Sequence, residues 1–360
     1  MILLLPLNHG KKKEIMKRKQ LISIFVLVSV ALMLTGSAVY AKRRKAVANL
    51  PLPAPQLEKL LGYGEFEIVS DELADMSSMN SRELQLRYRG MSPETRRKIK
   101  MKRRVRLKKP LKVKWKAAPK GDGDGWNNSP RREIAAYVIQ RLFLDPKDYA
   151  VSPTTTRCIT LPQYQRINPK AKPNIKPFQC VYGAFAAWVT NVKSPKHIYD
   201  AERFARDKRY AYHMANMNLL TYLIDHKDAQ SSNFLISTDP KNPRIFVVDN
   251  GISLGSGLHN IFAKQWNEIR VPALPKKSIE RLRKVTQSDL NRLGVLAQMD
   301  ADANGILRNV EPRANLKPKV GSRVFPNTVQ IGLTTAEIKM IQKRLQKLLN
   351  KVDEGTWELF

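Results

Sequence analysis

Residues Leu219 to Leu254 (LLTYLIDHKDAQSSNFLISTDPKNPRIFVVDNGISL) constrain the fold more than any other stretch. Two polar clusters, Asp228–Asn233 and Asp249–Gly251, flank two strand-like runs, Phe234–Ser237 and Ile245–Val248. A Thr238–Pro243 turn rich in Asp, Pro and Asn joins the runs, which predicts a β-hairpin. Such a hairpin brings Asp228, Asn233 and Asp249 to one end of a sheet. Three oxygen-bearing side chains there can hold a hard divalent cation. One carboxylate is left to accept a proton from a nucleophile, an arrangement suited to phosphoryl transfer, where positioning and charge neutralisation do most of the work. The bland alternative for the same letters is an Asx-rich loop followed by a hairpin turn.

The spacing has a known counterpart. Asn233 lies five residues after Asp228, His226-Lys227-Asp228 is similar to H-R-D, and Asp249-Asn250-Gly251 stands where D-F-G would. The pattern resembles protein kinases. Its D-N-G form looks more like the atypical, lipid-kinase-like branch that includes the phosphatidylinositol kinases and the Golgi secretory-pathway kinases. The longer phrase beginning at Arg132-Glu133-Ile-Ala-Ala-Tyr137 resembles bacterial exported members of that branch, over roughly residues 111–290. The resemblance implies an α+β, two-lobed protein-kinase-like fold with a small mixed lobe and a mainly helical large lobe. It implies ATP with Mg²⁺ or Mn²⁺, and a hydroxyl acceptor on protein, glycan or lipid headgroup. Asp228 would be catalytic, and Asn233 and Asp249 would hold metal. Lys116, steadied by Glu133, would bind the nucleotide phosphates.

Lys116 lies in Leu111-Lys-Val-Lys-Trp-Lys-Ala117, whose alternation predicts a strand with Lys112, Lys114 and Lys116 on one face. Lys114 competes for the phosphate-binding role. A solvated edge strand would carry lysines for another reason, to block aggregation. Ser129-Pro130 predicts a helix start reaching about Leu144, with Glu133 in its first turn, where an acid also serves the helix dipole. Two departures from the kinase pattern stand out. No G-x-G-x-x-G occurs, and the Gly121–Gly125 loop follows the lysine strand rather than preceding it. Lys114 also occupies a place where a small residue usually packs on adenine.

Charge and address bear on partners. Sixty-four Lys+Arg against 31 Asp+Glu give a net charge of +33, which attracts anionic polymers and headgroups. Met16–Gln20 is a basic leader, Leu21–Leu34 an apolar core, and Ser37–Ala41 a cleavage region. This predicts a signal peptide over 1–41 and export to the periplasm or exterior. An uncleaved anchor over 21–39 is the alternative. Export makes genomic nucleic acid a poor candidate partner and a surface polyanion a better one. The basic region 91–116 would be the dock, or a solvated extension. Cys158 and Cys180 are expected to pair in an oxidising compartment, or to remain two buried thiols. The division expected is 1–41, a basic extension over 42–110, and the kinase-like domain over 111–360, its small lobe ending near 192.

Further expectations are strands over 62–69 and 81–89 and helices over 57–61, 200–224, 278–299 and 334–352. Asp300-Ala-Asp302-Ala-Asn304-Gly305, closing at Glu311, also fits a calcium loop entered by a helix, although Pro312 opposes an exiting helix. The competing function is a catalytically inactive kinase-like or cationic cell-envelope protein that binds anionic polymers.

Overall fold

Residues 48–73, 81–101, 104–121, 129–255 and 266–360 are described in a computed structural model, where they belong to one compact unit. The signal or anchor expected over 1–41 and most of the Gly121–Gly125 loop lie outside the described residues. No helix among those described is long and apolar enough to cross a membrane.

The fold is α+β. Its main sheet is antiparallel: β1 (Glu65–Leu73), β2 (Ser81–Gly90), β3 (Leu111–Ala117), β4 (Thr154–Thr160) and β5 (Cys180–Ala187), in the order β1-β2-β3-β5-β4. Strand pairing runs across position 110, since Leu84 faces Val113 and Gln85 faces Lys112. Period-two alternation sorts β3 into two faces. Val113 and Trp115 are buried with Leu84, Leu86 and Phe185, under helix α1 (Ala54–Tyr63) with its Leu57, Leu60 and Leu61. Lys112, Lys114 and Lys116 take the other face. Gly183 sits opposite Ala117 in β5, where a Cβ would collide with the Lys116 carbonyl and the Trp115 ring. Only glycine lets β5 close on the lysine strand there.

The basic insert is better anchored than a free extension. It forms a short helix α2 (Pro93–Lys98), capped by Ser92 accepting from Thr95 N at 3.0 Å. Ile99 is buried, and Val105 and Leu107 pack against the sheet core. Helix α3 (Pro130–Ile139) lies between β3 and β4 in sequence and is buried on most of its surface. It ends earlier than expected, in a 3₁₀ turn over Gln140–Leu142. Gln140 there bonds both Val151 N and Val151 O at 2.9 Å. A short helix α4 (Leu161–Gln165) follows β4.

The long helix expected over 200–224 is two, α5 (Ala201–Arg206) and α6 (Lys208–Leu223). Asp207 breaks it: its backbone is extended, and its carboxylate caps Arg209 N and Tyr210 N. The predicted hairpin is present as β7 (Phe234–Ser237) and β8 (Ile245–Val247), with Phe234 facing Val247, and β6 (Val192–Lys193) joins β7. The 278–299 expectation fails. After β9 (Ala273–Leu274) come α7 (Lys276–Arg283), α8 (Gln287–Arg292) and then a strand, β10 (Ala297–Ala301). Thr286 and Asp289 form a capping box that restarts the helix, which a hydrophobic period alone does not register. β10 joins β11 (Leu307–Val310), β12 (Ser322–Phe325) and β13 (Thr328–Ile331) in a second antiparallel sheet. The calcium-loop letters are therefore a β-hairpin connection. Helix α9 (Thr335–Asp353) begins at its expected capping box, Thr334 with Glu337. A two-residue strand β14 (Glu358–Leu359) pairs with β9.

A separate hydrophobic cluster joins Ile134 of α3 to Met299, Leu307, Val329 and Ile331 of the second sheet, with Cys158 and Cys180 inside it. Those cysteines form a disulfide. Arg131 on α3 is also held by both Glu337 oxygens at 2.7 and 2.8 Å.

Candidate functional site

Helix α6 delivers the chain to the loop before β7. Three backbone bonds stitch this loop to the segment after β8: Leu254 N to Ile224 O at 2.6 Å, Lys227 N to Ile252 O at 3.0 Å, and Val248 N to Asn233 O at 2.9 Å. The two polar clusters of the sequence are thus held side by side. Asp228 is buried. Asn233 Nδ2 donates to Asp228 O at 2.9 Å and to its Oδ2 at 3.1 Å, while Gln230 Nε2 donates to Oδ1 at 3.2 Å. Gln230 was not singled out from sequence, although its place two residues after Asp228 is the available signal.

Asp249 adopts φ +64°, a left-handed conformation uncommon for a non-glycine residue. Its carboxylate meets the lysine strand. Lys116 Nζ bonds Asp249 Oδ1 and, at 2.7 Å, Glu133 Oε1. Lys114 Nζ reaches Asp249 Oδ2 at 3.2 Å. Glu133 Oε2 accepts Asn250 N at 3.0 Å, so one glutamate ties both the lysine and the Asp249 turn. The structure brings Lys116, Glu133 and Asp249 into direct contact, and Asp228 with Asn233 into a second contact pair.

Electrostatics follow from that packing. Burial works against the Lys116 ammonium, but Glu133 and Asp249 outweigh it and raise its pKa. Burial likewise opposes the Asp249 carboxylate, and Lys116 with Lys114 overcomes it, holding Asp249 well below the ordinary range. His226 is wholly buried, edge-on to Phe234 at 6.0 Å. Burial lowers its pKa against the opposing pull of Asp228 and Asp249.

Lys114, Lys116, Glu133, Asn233 and Asp249 open onto a cavity of about 610 Å³, while Asp228 lies behind Asn233 and is not among the residues that line it. One part is polar, with Lys114, Lys116, Glu133, Asn233 and Asp249. The other is apolar, with Val151, Ala186, Val189, Leu235 and Val247, beside Trp188. Its rim is the β5–β6 connection over 188–191, just before the expected end of the small lobe near 192. Asn49 secures that rim. Its Nδ2 donates to Thr190 O at 3.0 Å, Asn191 O at 3.2 Å and Ser237 Oγ at 3.1 Å, and its own carbonyl accepts Thr190 N at 3.0 Å. Asn49 falls in the basic extension expected over 42–110, since nothing local signals a contact about 140 residues away.

A divalent cation fits the donor chemistry here. Both Asp249 oxygens already face cations, the two lysine ammoniums. Asn233 commits its Nδ2 to Asp228, leaving Oδ1 as an oxygen donor. Asn250 Oδ1 is buried with no hydrogen-bond partner among the described residues. Among those residues no group of three or more His, Cys, Asp or Glu side chains is arranged for a metal. Amide oxygens would therefore have to complete the shell, as hard cations accept.

No protein-family model matches the sequence, and no curated protein matches it. Among solved structures, the chain is similar to hydra Fam20 with sugar, at 13% identity and TM-score 0.45, over 81% of this chain and 86% of that one. It is also similar to the Golgi casein kinase with Mn/ADP bound, at 10% identity and TM-score 0.40, over 83% of this chain and 75% of that one.

Proposed function

We propose that the protein is an exported, metal-dependent phosphotransferase that moves the terminal phosphoryl of ATP to a hydroxyl acceptor on protein, glycan or lipid headgroup. The observation that carries this is the Glu133–Lys116–Asp249 chain on a cavity with an apolar wall, which Asn233, the hydrogen-bond partner of buried Asp228, also lines. The apolar wall suits a nucleobase, and the 188–191 backbone offers polar groups at its edge. Lys116 would hold the nucleotide phosphates, with Glu133 fixing its ammonium. Asn233 and Asp249 would hold Mg²⁺ or Mn²⁺, which when bound neutralises phosphate charge and orients the transferring group. Asp228, aimed by Asn233 and Gln230, would accept the acceptor's hydroxyl proton. The acceptor oxygen then bonds the γ-phosphorus as the bond to the bridging oxygen breaks, and ADP leaves with that electron pair. The Cys158–Cys180 disulfide supports an oxidising, exported setting.

Thermal melting of the full chain with ATP plus Mn²⁺, ATP plus EDTA, and Mn²⁺ alone tests the reading. A metal-dependent rise in melting temperature that disappears in Asp249→Ala is expected. No rise from a folded protein would sink it.

A second reading has its own observation. Over 104–109 the exposed Arg104, Arg106, Lys108 and Lys109 alternate with the inward Val105 and Leu107. Apolar rivets thus hold a cationic strip outward, as a protein gripping an anionic surface polymer would need. Binding of that kind falls steeply with salt and ignores Mn²⁺, so a salt titration of polyanion binding separates the readings.

A further inference from the structure

The second lysine of the strand is not absorbed by the proposed reaction. Lys114 and Lys116 stand two residues apart on one face of β3, and their ammoniums divide the two oxygens of Asp249 between them. Their situations differ. Lys116 keeps Glu133 as a second carboxylate and its side chain is only 5% exposed. Lys114 is 22% exposed, and among the described residues Asp249 is its ion-pair partner. The other acid near it, Glu83, lies directly across the β2–β3 pair but is engaged by Lys112.

We propose that Lys114 couples metal binding to nucleotide binding: it guards Asp249 while the metal is absent and becomes a phosphate-binding cation when the metal takes the carboxylate. The inference rests on the phosphotransferase reading and adds a residue and a regulation to it. A cation arriving at Asp249 meets a carboxylate whose second oxygen is already neutralised. Displacing Lys114 leaves its ammonium at the cavity wall without a carboxylate, which is unfavourable in a partly desolvated site. A nucleoside polyphosphate supplies the missing negative charge. Each ligand therefore removes an obstacle to the other, and linkage makes the effect reciprocal. With no G-x-G-x-x-G in the chain to wrap the phosphates in backbone N–H groups, a second side-chain cation is also the natural replacement.

The opposite signs of two binding constants test this. Mn²⁺ binding to the full chain without nucleotide, followed by the spin-resonance signal of free Mn²⁺, is compared in wild type and Lys114→Met. ATP binding in saturating Mn²⁺ is measured calorimetrically in both. Lys114→Met is expected to tighten Mn²⁺ about tenfold and to weaken ATP in the presence of Mn²⁺ about tenfold, within the usual range of site coupling. A lysine that only supports the strand would weaken both or neither. Mn²⁺ affinity unchanged or weaker, or ATP affinity unchanged, overturns the proposal. Should Lys114→Met not fold, Lys114→Gln carries the same two expectations with a polar stem. Wild-type protein that binds neither Mn²⁺ nor ATP would instead overturn the phosphotransferase reading, so the two failures are distinguishable.

Discussion

Two acidic, asparagine- and glycine-bearing segments of this chain look alike on paper and are built differently. In Asp228–Gly251, Asp228 is buried against Asn233 and Gln230, and Asp249 meets Lys114 and Lys116 at the wall of a cavity. Asp300–Glu311 carries its carboxylates on a hairpin at the edge of the second sheet, neutralised locally. Asp302 Oδ1 caps Asn304 N at 2.9 Å and Ile306 N at 3.1 Å, and its Oδ2 takes Arg308 Nε at 3.1 Å. Asp300 accepts from Thr328 Oγ1 at 2.8 Å and pairs with Arg313. Gly305 supplies the positive φ of +71° that the turn needs. The partners differ in kind: Asp249 is held by two lysine side chains at a cavity wall, which a ligand can displace, whereas Asp302 is held by backbone N–H groups that its own turn fixes in place.

Turnover should separate the two segments most strongly. Asp228→Asn should lower phosphotransfer ~10²–10⁴-fold, the usual worth of a positioned base, whereas Asp302→Asn should leave it within experimental error. Equal effects would remove the distinction. Next in size is the disulfide, which lies beneath the second segment: Gln179 N bonds Gly305 O at 2.9 Å, beside Cys180. It closes a loop with a sequence separation of 22. Replacing both cysteines by serine should cost about 3 kcal/mol in urea unfolding by the chain-entropy relation, yet preserve the stabilisation by Mn²⁺ and ATP. Loss of that stabilisation would show that the two regions are not independent.

Ligand-induced melting gives a smaller effect. At a hundredfold excess over its dissociation constant, Mn²⁺–ATP should add about 2.7 kcal/mol, read as a rise of several degrees. Calcium alone should move nothing, because the hairpin's carboxylates are satisfied. A calcium-dependent rise abolished by Asp302→Asn would reinstate the calcium loop.

The smallest effect provides a baseline for acid sensitivity. His213 on α6 is outside both segments and hydrogen-bonds Asn242 at 3.0 Å. Burial lowers its pKa from the ordinary 6.5. Between that lowered value and 6.5 the unfolded chain binds more protons, so stability falls as pH drops below 6.5 and is fully present above it. His213→Gln should flatten this part of the stability–pH curve. An unchanged slope would assign it elsewhere, including to wholly buried His226.

Much was legible because it was local. The hairpin after Asn233 follows from two β-branched and aromatic runs with a Pro/Asp/Asn turn between them. Period-two alternation in Leu111–Ala117 gave the lysine face, and the Thr334–Glu337 capping box marked the last helix. Where local signals conflicted, hydrophobic period misled. The 278–299 stretch has helical spacing, but its last residues open β10, one of the two middle strands of a sheet, and pair with residues as far downstream as Ile331. Asp207 divides a helix through a cap rather than through any change of pattern.

By itself, the sequence determined which residue types stand ready: the lysine face, the spaced acids and amides, the two cysteines and the basic strip. These depend on chain neighbours, whose geometry a period or a turn specifies. Tertiary structure alone decided which of two lysines gained Glu133, that both reached Asp249, that Asn49 gripped residues 190 and 191, and that the Asp300 loop became a turn. Each of these joins groups far apart in sequence, and only the packing of the shared core determines which of them meet.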